Sequence, residues 1–498
     1  MLIKIPTLLL LLFLCAPLMS QTIRPNHWID DDLRYYWHRN ALWHLSPLTR
    51  PYSAQEILAA LDSIPNAQDE PGLKLLRRMP SQSVAERALG WMIIDNAYQH
   101  DQNIKDWHAV QHATIGAQLH PKVSLYGSFY MDNQLDADTS YIGKHQSGVG
   151  AFMEQAYISV QHKKFRAKFG RDYLVWGPGV DAALHLSDAS RPIDHLYLSW
   201  QNRWISFAYF TGSLDRTEYP IDDQESVQNR YLSGHRLELR PWKFLRIGFS
   251  ETALFGGPDV GNDFGLWNPV LFYTGIQFNG PQTANVLGSL DAAVMPLKHV
   301  LLYGSFMLDD FQLENDTLED QEPAQIGFLA GFNWADPLIR GLDLFGEYTR
   351  VTNRTYSGQG GMWEKYLHRN VPLGHFLGND FDRWLVGMRY RPQPGLRFET
   401  IYEQRRRGEG RITDEFTTPW RNLLPGQTYS EPFPTGLVEY GDNFRISARW
   451  QPLLWLYGDI FLSYWNVENA EHQQDINIDY WEFRLNLSIE FLGTTSIQ

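Results

Sequence analysis

The last long patterned stretch of the chain, Trp481-Glu482-Phe483-Arg484-Leu485-Asn486-Leu487-Ser488-Ile489-Glu490-Phe491, alternates apolar and polar residues without a break. Successive side chains of a strand point to opposite sides of its sheet. One face is therefore Trp481, Phe483, Leu485, Leu487, Ile489 and Phe491, and the other carries Glu482, Arg484, Asn486, Ser488 and Glu490. Such a strand is long enough to cross a bilayer, which takes about 9–11 residues. A soluble sandwich would turn the apolar face inward. A membrane barrel would turn it to lipid and its charges to the lumen.

The amino terminus favours the barrel. Lys4, an apolar run from Leu8 to Cys15, and Ala16-Pro17-Leu18-Met19-Ser20 before Gln21 have the layout of a cleavable secretory signal. Residues 1–20 are expected to be removed, which takes away the single cysteine of the chain. Phe13-Leu14 before Cys15 lacks the small residue that lipoprotein processing needs. A mature chain without cysteine has no disulfides, thiol catalysis or thiolate metal sites. Aromatics make up 14 % of the 498 residues, yet no stretch after the signal is apolar for the length of a membrane helix. The net charge of −14 and the lack of a clustered basic stripe argue against nucleic acid.

Residues 21–104 read as a small helical bundle. Leu33 to Trp37 and Ala41-Leu42-Trp43 have helical spacing, and Ser53-Ala54-Gln55-Glu56 looks like a capping box before Ile57 to Leu61. Further amphipathic runs cover Leu73 to Met79 and Val84 to Ala97, with Pro51, Pro65 and Pro71 as breaks. From 105 to 492 the chain becomes a meander, followed by a tail at 493–498. Short connections such as His120-Pro121, His162-Lys163-Lys164, Arg240-Pro241 and Gln451-Pro452 alternate with long ones, such as 132–148, 172–192, 352–380 and 408–438. Outer-membrane barrels sort their loops this way, short toward the periplasm and long outside, whereas a sandwich has no reason to. About seventeen segments between these connections read as strands; single-chain bacterial barrels have even numbers, so the expectation is roughly 16–18 antiparallel strands, 18 preferred. The missing strand is expected near His100–His108 or inside a long loop.

One block stands out. Gly170-Arg171-Asp172-Tyr173-Leu174-Val175-Trp176-Gly177-Pro178-Gly179 leads into Leu184-His185-Leu186-Ser187-Asp188-Ala189-Ser190-Arg191-Pro192. Its Gly-Arg, Trp-Gly-Pro-Gly, Leu-x-Leu-Ser and Ala-x-Arg-Pro elements resemble the Wzi-type capsule assembly family of outer-membrane proteins. Phe249-Ser250-Glu251 with Trp267-Asn268-Pro269, and Leu48-Thr49-Arg50-Pro51 with Glu56-Ile57, are similar to that family at the level of pattern. The resemblance implies an 18-stranded barrel with a periplasmic helical bundle, and a surface lectin that holds capsular polysaccharide.

The block also has a physical reading. Trp176 beside Gly177-Pro178-Gly179 offers an aromatic platform for a sugar ring, next to backbone free to turn sharply. Arg171, Asp172, Ser187 and Arg191 supply hydrogen-bonding and charged groups for hydroxyls or carboxylates. The same residues would equally brace a loop folded into the barrel, with Arg171 and Asp172 paired to each other. The inward charges Arg397, Glu399, Glu403, Arg445, Arg449, Arg484 and Glu490 would line an ion-selective pore or pair into a plug; their mixed signs favour pairing. Arg405-Arg406-Arg407 is a basic cluster at a strand end, and Trp200, Trp204, Trp242, Trp384, Trp420 and Trp455 are candidates for interfacial girdles.

Signs of catalysis are sparse. Asp30-Asp31-Asp32 serves the positive end of a helix better than a metal. His108, His112, His120, His162, His185 and His195 are scattered without His-Glu-x-x-His spacing, and Gly-x-Ser-x-Gly is absent. The sequence thus reads as a monomeric outer-membrane barrel with its helical bundle in the periplasm. It is expected to bind surface or capsular polysaccharide, touch outer-membrane lipid and depend on barrel assembly machinery. No catalysis, metal, cofactor or nucleic acid is expected; the alternatives are a porin or glycan channel and, further off, a barrel enzyme acting on lipid or glycan.

Overall fold

A computed structural model describes residues 22–495, apart from 65–71, 77–87, 101–104, 258–263, 277–283, 312–316 and some isolated positions or pairs. The signal at 1–20 lies outside the described residues, as does most of the run 73–79. Two helices open the chain, α1 (Trp28–His38) and α2 (Ala54–Asp62). Ser53 caps α2 as its sequence requires: its side chain accepts from Glu56 N, and Glu56 accepts from Ser53 N at 2.7 Å. Leu42, expected in a helix, is buried in irregular backbone after α1 has ended.

The long strands follow in chain order. They are β1 (Ala88–His100), β2 (Lys105–His120), β3 (Val123–Asp132), β4 (Val149–His162), β5 (Phe165–Asp172) and β6 (Ile193–Gln201). Next come β7 (Ile205–Ser213), β8 (Arg230–Trp242), β9 (Leu245–Gly256), β10 (Ala284–Leu297), β11 (Val300–Asp310) and β12 (Gln325–Ala335). The last are β13 (Leu342–Val351), β14 (Phe381–Gln393), β15 (Leu396–Arg407), β16 (Glu439–Leu453), β17 (Leu456–Glu468) and β18 (Ile478–Thr495). Each pairs antiparallel with the next, and β1 pairs with β18 from Ala88↔Thr495 to His100↔Phe483, so the sheet is a closed barrel.

The first strand corrects the sequence reading. Of the run Val84 to Ala97, residues 88–97 are strand and not amphipathic helix, because Ala88–His100 is paired on both edges; 84–87 lie outside the described residues. A short apolar run satisfies both periods, and what decides is its neighbours. Without β1, the edges of β2 and β18 would stay unpaired, which a barrel wall in lipid does not tolerate. The barrel therefore begins at Ala88 instead of 105, and its last strand continues to Thr495, into the expected tail.

The long connections leave one end of the barrel, which also holds the four-residue 101–104 connection between β1 and β2, and the other tight turns lie at the opposite end. Outward positions alternate as expected: Phe444, Ile446 and Trp450 on β16 and Trp481, Leu485 and Leu487 on β18 are exposed. Trp200, Trp204, Trp242 and Trp455 are exposed near the short turns, and Trp384 toward the long loops. Trp420 departs from the expected girdle. It is fully buried in the 408–438 loop, stacked under Arg354 at 5.0 Å.

Much of the lumen is filled. Inward residues of the wall, among them Phe210, Leu232, Leu254, Leu287, Met307 and Leu329, form one core with Leu174, Trp176, Leu184 and Leu186 of the 173–192 connection. A second core joins α1 and α2 to Ala293, Met295 and Leu301 near the short-turn end. The helices therefore close that mouth.

Candidate functional site

The 173–192 connection explains how the lumen is filled. At its root Gly170 has φ +131, and a Cβ there would lie 2.1 Å from Ala156 O, so only glycine fits. The chain then drops into the barrel. Val175–Trp176 forms a two-residue ladder with Thr49–Arg50, and Gly177 N donates to Leu48 O at 2.9 Å. Arg34 of α1 donates to Val180 O at 3.1 Å, and Val180 N donates to Glu347 of the wall at 2.8 Å. The inward loop and the amino-terminal helices thus meet inside the barrel.

Trp176 is no platform for a sugar. Its ring is fully buried, 5.2 Å from Phe210 and above Gly234, where an added Cβ would stand 3.1 Å from it. Its depth is set by the wall, which provides a glycine-floored socket. Ser187 is buried too; its Oγ donates to Gly374 O, and its backbone N to Leu373 O at 2.8 Å. Asp172 lies in the interior, accepting from Lys168, from Gln155 Nε2 at 2.6 Å and from Thr22 Oγ1 at 2.8 Å. These three residues hold the loop.

Arg171 and Asp172 do not pair with each other, because neighbouring residues of a strand face opposite ways. Arg171 faces outward and makes a bidentate pair with Asp194, at 2.8 and 2.6 Å. Arg191 donates to Asp138 and Tyr130, and to Ser140 Oγ at 2.9 Å. Both guanidinium groups converge on the ring of Phe152, Arg191 at 4.7 Å and Arg171 at 5.9 Å. A third, Arg369, stands over the same ring at 5.3 Å. Its Nε is buried without a hydrogen-bond partner. Three cations around the buried ring of Phe152, with exposed Asp138 and Asp194 alongside, make a polar patch at the long-loop end. Arg369 went unnoticed in the sequence. It sits at the tip of the Leu367–His368 and Val371–Pro372 ladder, where φ is +53 for Arg369 and +62 for Asn370. An Arg-Asn pair inside a long loop was its only local signal.

The other singled-out residues are structural. Glu251 caps the short helix Tyr273–Ile276, accepting from Tyr273 N at 2.7 Å and Thr274 N at 2.8 Å, which ties the Trp267-Asn268-Pro269 loop to the wall. In the basic cluster Arg405 lies 4.2 Å from the Trp465 ring centre, and Arg406 pairs with Asp382. Of the inward charges, Glu399 pairs with Arg389 at 2.5 Å, Glu403 with Arg383 at 2.7 Å, Arg397 and Arg449 with Asp31, and Arg484 with Asp459 at 3.5 Å; Arg445 has no ion pair among the described residues, and the side chain of Glu490 lies outside them. Asp30 binds Arg50 at 2.7 Å, while Asp31 and Asp32 reach the barrel wall. Among the described residues no group of His, Cys, Asp and Glu could hold a metal ion.

Residues 93–477 match the family model described as capsule assembly protein Wzi. The chain belongs to the Wzi capsule assembly family. Among solved structures it is similar to a Wzi of Escherichia coli, described as an outer-membrane protein involved in group 1 capsule assembly and as a carbohydrate-binding β-barrel. That likeness covers 95% of this chain and 100% of the other at 15% identity and TM-score 0.65, which establishes the family fold. Two barrels are similar at TM-score 0.48: OccD3 (OpdP) of Pseudomonas aeruginosa, at 10% identity over 81% of this chain and 91% of its own, and Acinetobacter baumannii OccAB1, at 12% over 82% and 96%. No curated protein sequence matches the chain.

Proposed function

We propose that this Wzi-family chain is an outer-membrane barrel, its ring running from β1 to β18, that binds acidic surface or capsular polysaccharide without catalysis. Its helices would lie on the periplasmic side and its long loops outside. The observation that carries this reading is the convergence of Arg171, Arg191 and Arg369 on Phe152 at the long-loop end. Guanidinium forks match carboxylates in two-point geometry, and exposed Asp138 and Asp194 can accept from sugar hydroxyls. Asp172, Trp176 and Ser187 serve this surface indirectly, by holding in place the loop that carries Arg191. Outward aromatics at both ends of the wall would set the barrel in its lipid.

The test is binding of the folded barrel to the source cell's own surface polysaccharide. Arg369→Gln and Arg191→Gln should each weaken saturable binding by about tenfold, the size expected for a charge-assisted contact, and raised salt should weaken it further. Unchanged binding in both variants, with heat-modifiable mobility intact, would remove the site from this face.

A further inference from the structure

Not all of the lumen is packed. Between the inward loop and strands β15–β18 lies a chamber of about 490 Å³, bounded by Asp181 on the loop side and by Arg445, Ser447, Asp459 and Arg484 on the wall. A second cavity of about 310 Å³ lies at the short-turn mouth, between α1 and the turn at Pro392–Leu396. Arg397 and Arg449 line both cavities. The two cavities meet at these arginines, which Asp31 of α1 holds from the short-turn side: it accepts from Arg397, from Arg449 at 2.9 Å and from Arg391 at 3.0 Å. Asp32 takes the other arm of Arg391 at 2.8 Å.

This junction differs from the rest of the seal. The opposite flank of α1 is held by apolar packing of Leu33 and Trp37 against the wall core. The flank toward β15–β18 is held chiefly by charge, with Tyr457 of β17 packed against the helix core and Arg391 4.8 Å from the Tyr35 ring centre. Burial works to raise the Asp31 carboxyl, but Arg397, Arg391, Arg389 and Arg449 outweigh it and hold it well below the usual carboxylate range, so it is ionised. Arg391, Arg397 and Arg449 each keep an Nε that is buried without a partner. Removing the shared carboxylate would leave three guanidinium groups offset only by Asp32 on the other arm of Arg391 and by Glu399 at 3.8 Å from Arg397, and repulsion would part them.

We propose that this chamber accepts small anionic solutes, or the carboxylates of an acidic saccharide, and opens to the short-turn mouth through the Asp31 latch. The anion preference follows from Arg445. Of the carboxylates lining the chamber, Glu399 is engaged by Arg389, Asp181 by Arg383 and Asp459 by Arg484, and Glu482 of β18 is the fourth; Arg445 forms no ion pair among the described residues, although its charge also acts on Asp181. Its guanidinium leans 5.9 Å from the Phe461 ring on the chamber wall. An anion entering past the latch would meet Arg397 and Arg449 first and Arg445 next. The inference is independent of the glycan patch, which lies at the other end of the barrel.

The mature chain is expected to lack cysteine, so a single thiol reports on the chamber. Ser447→Cys in the folded, full-length barrel is labelled from the short-turn side with an anionic sulfonatoethyl or a cationic trimethylammonioethyl methanethiosulfonate. Asp31→Ala should raise the anionic rate about tenfold and the cationic rate much less, because the freed arginines repel cations. Adding Arg445→Gln should narrow that difference to the part due to the freed latch arginines; an unnarrowed difference would remove Arg445 from the anion site. Equal labelling with and without Asp31→Ala, in barrels that keep heat-modifiable mobility, overturns the latch. A cationic preference overturns the anion assignment. Should the alanine variant fail to fold, Asp31→Asn keeps the volume, removes the charge and is read in the same way.

Discussion

Glu322 lies in the loop between β11 and β12, accepting from Gln325 Nε2 at 2.8 Å and from Gln359 Nε2 at 3.2 Å. Burial, and then the neighbouring Asp310 carboxylate, raise it from 4.5 to about 7. A folded state that holds a proton the unfolded chain would release loses stability as pH rises. The penalty is absent below the unfolded value of 4.5 and fully developed once pH has passed about 7. Glu322→Gln should therefore raise the unfolding midpoint at pH 8 and leave it unchanged at pH 4; equal effects at both would show that the carboxyl is not strained. Residues of this kind mark the limit of what the sequence shows. Arg171 and Arg191 were legible as polar groups in a loop block, but Trp176 was misread because nothing local states how deep a side chain will sit. Arg369 was missed because it reaches Phe152 from another loop, and that proximity exists only once the barrel has closed.

Among the elements, the inward loop between β5 and β6 carries the most consequence. Trp176 is its anchor, and truncating a buried aromatic costs about 3–5 kcal/mol. Trp176→Ala should accordingly lower the unfolding midpoint and loosen the segment 173–192 to protease, while the strands keep their heat-modifiable signature. If protease resistance of 173–192 stays at the native level, the ring is not what fixes the loop. Elements with strong local chemistry were legible: the Ser53–Glu56 capping box predicted α2, and the alternation of β16 and β18 predicted their outward faces. The first strand was not, since Ala88–His100 carries an apolar run that either period can use. Its partners lie at the far end of the chain, and no window of sequence contains both.

For the whole molecule, the sorting of short turns to one end and long loops to the other was visible in the sequence, because loop length survives any error in strand boundaries. The contents of the lumen were not. The sequence offered a wet pore or a paired plug, and the structure has an apolar core on one side, paired charges on the other and a chamber between. Deleting residues 478–495 should abolish heat-modifiable mobility altogether, because β1 and β17 would each be left with an open edge; a truncated chain that still runs as a compact barrel would show that the ring can close without β18.

The seam between β1 and β18 also sets a timetable. The first strand waits for a partner that is made last, so the ring cannot be completed before synthesis ends. Yet Thr22, α1 and the 173–192 loop lie inside that ring and hydrogen-bond to one another and to its wall. The loop is rooted at both ends in wall strands β5 and β6, whereas the helices reach it at the short-turn mouth. The joining of the two ends of the chain is thus what completes the wall around its contents.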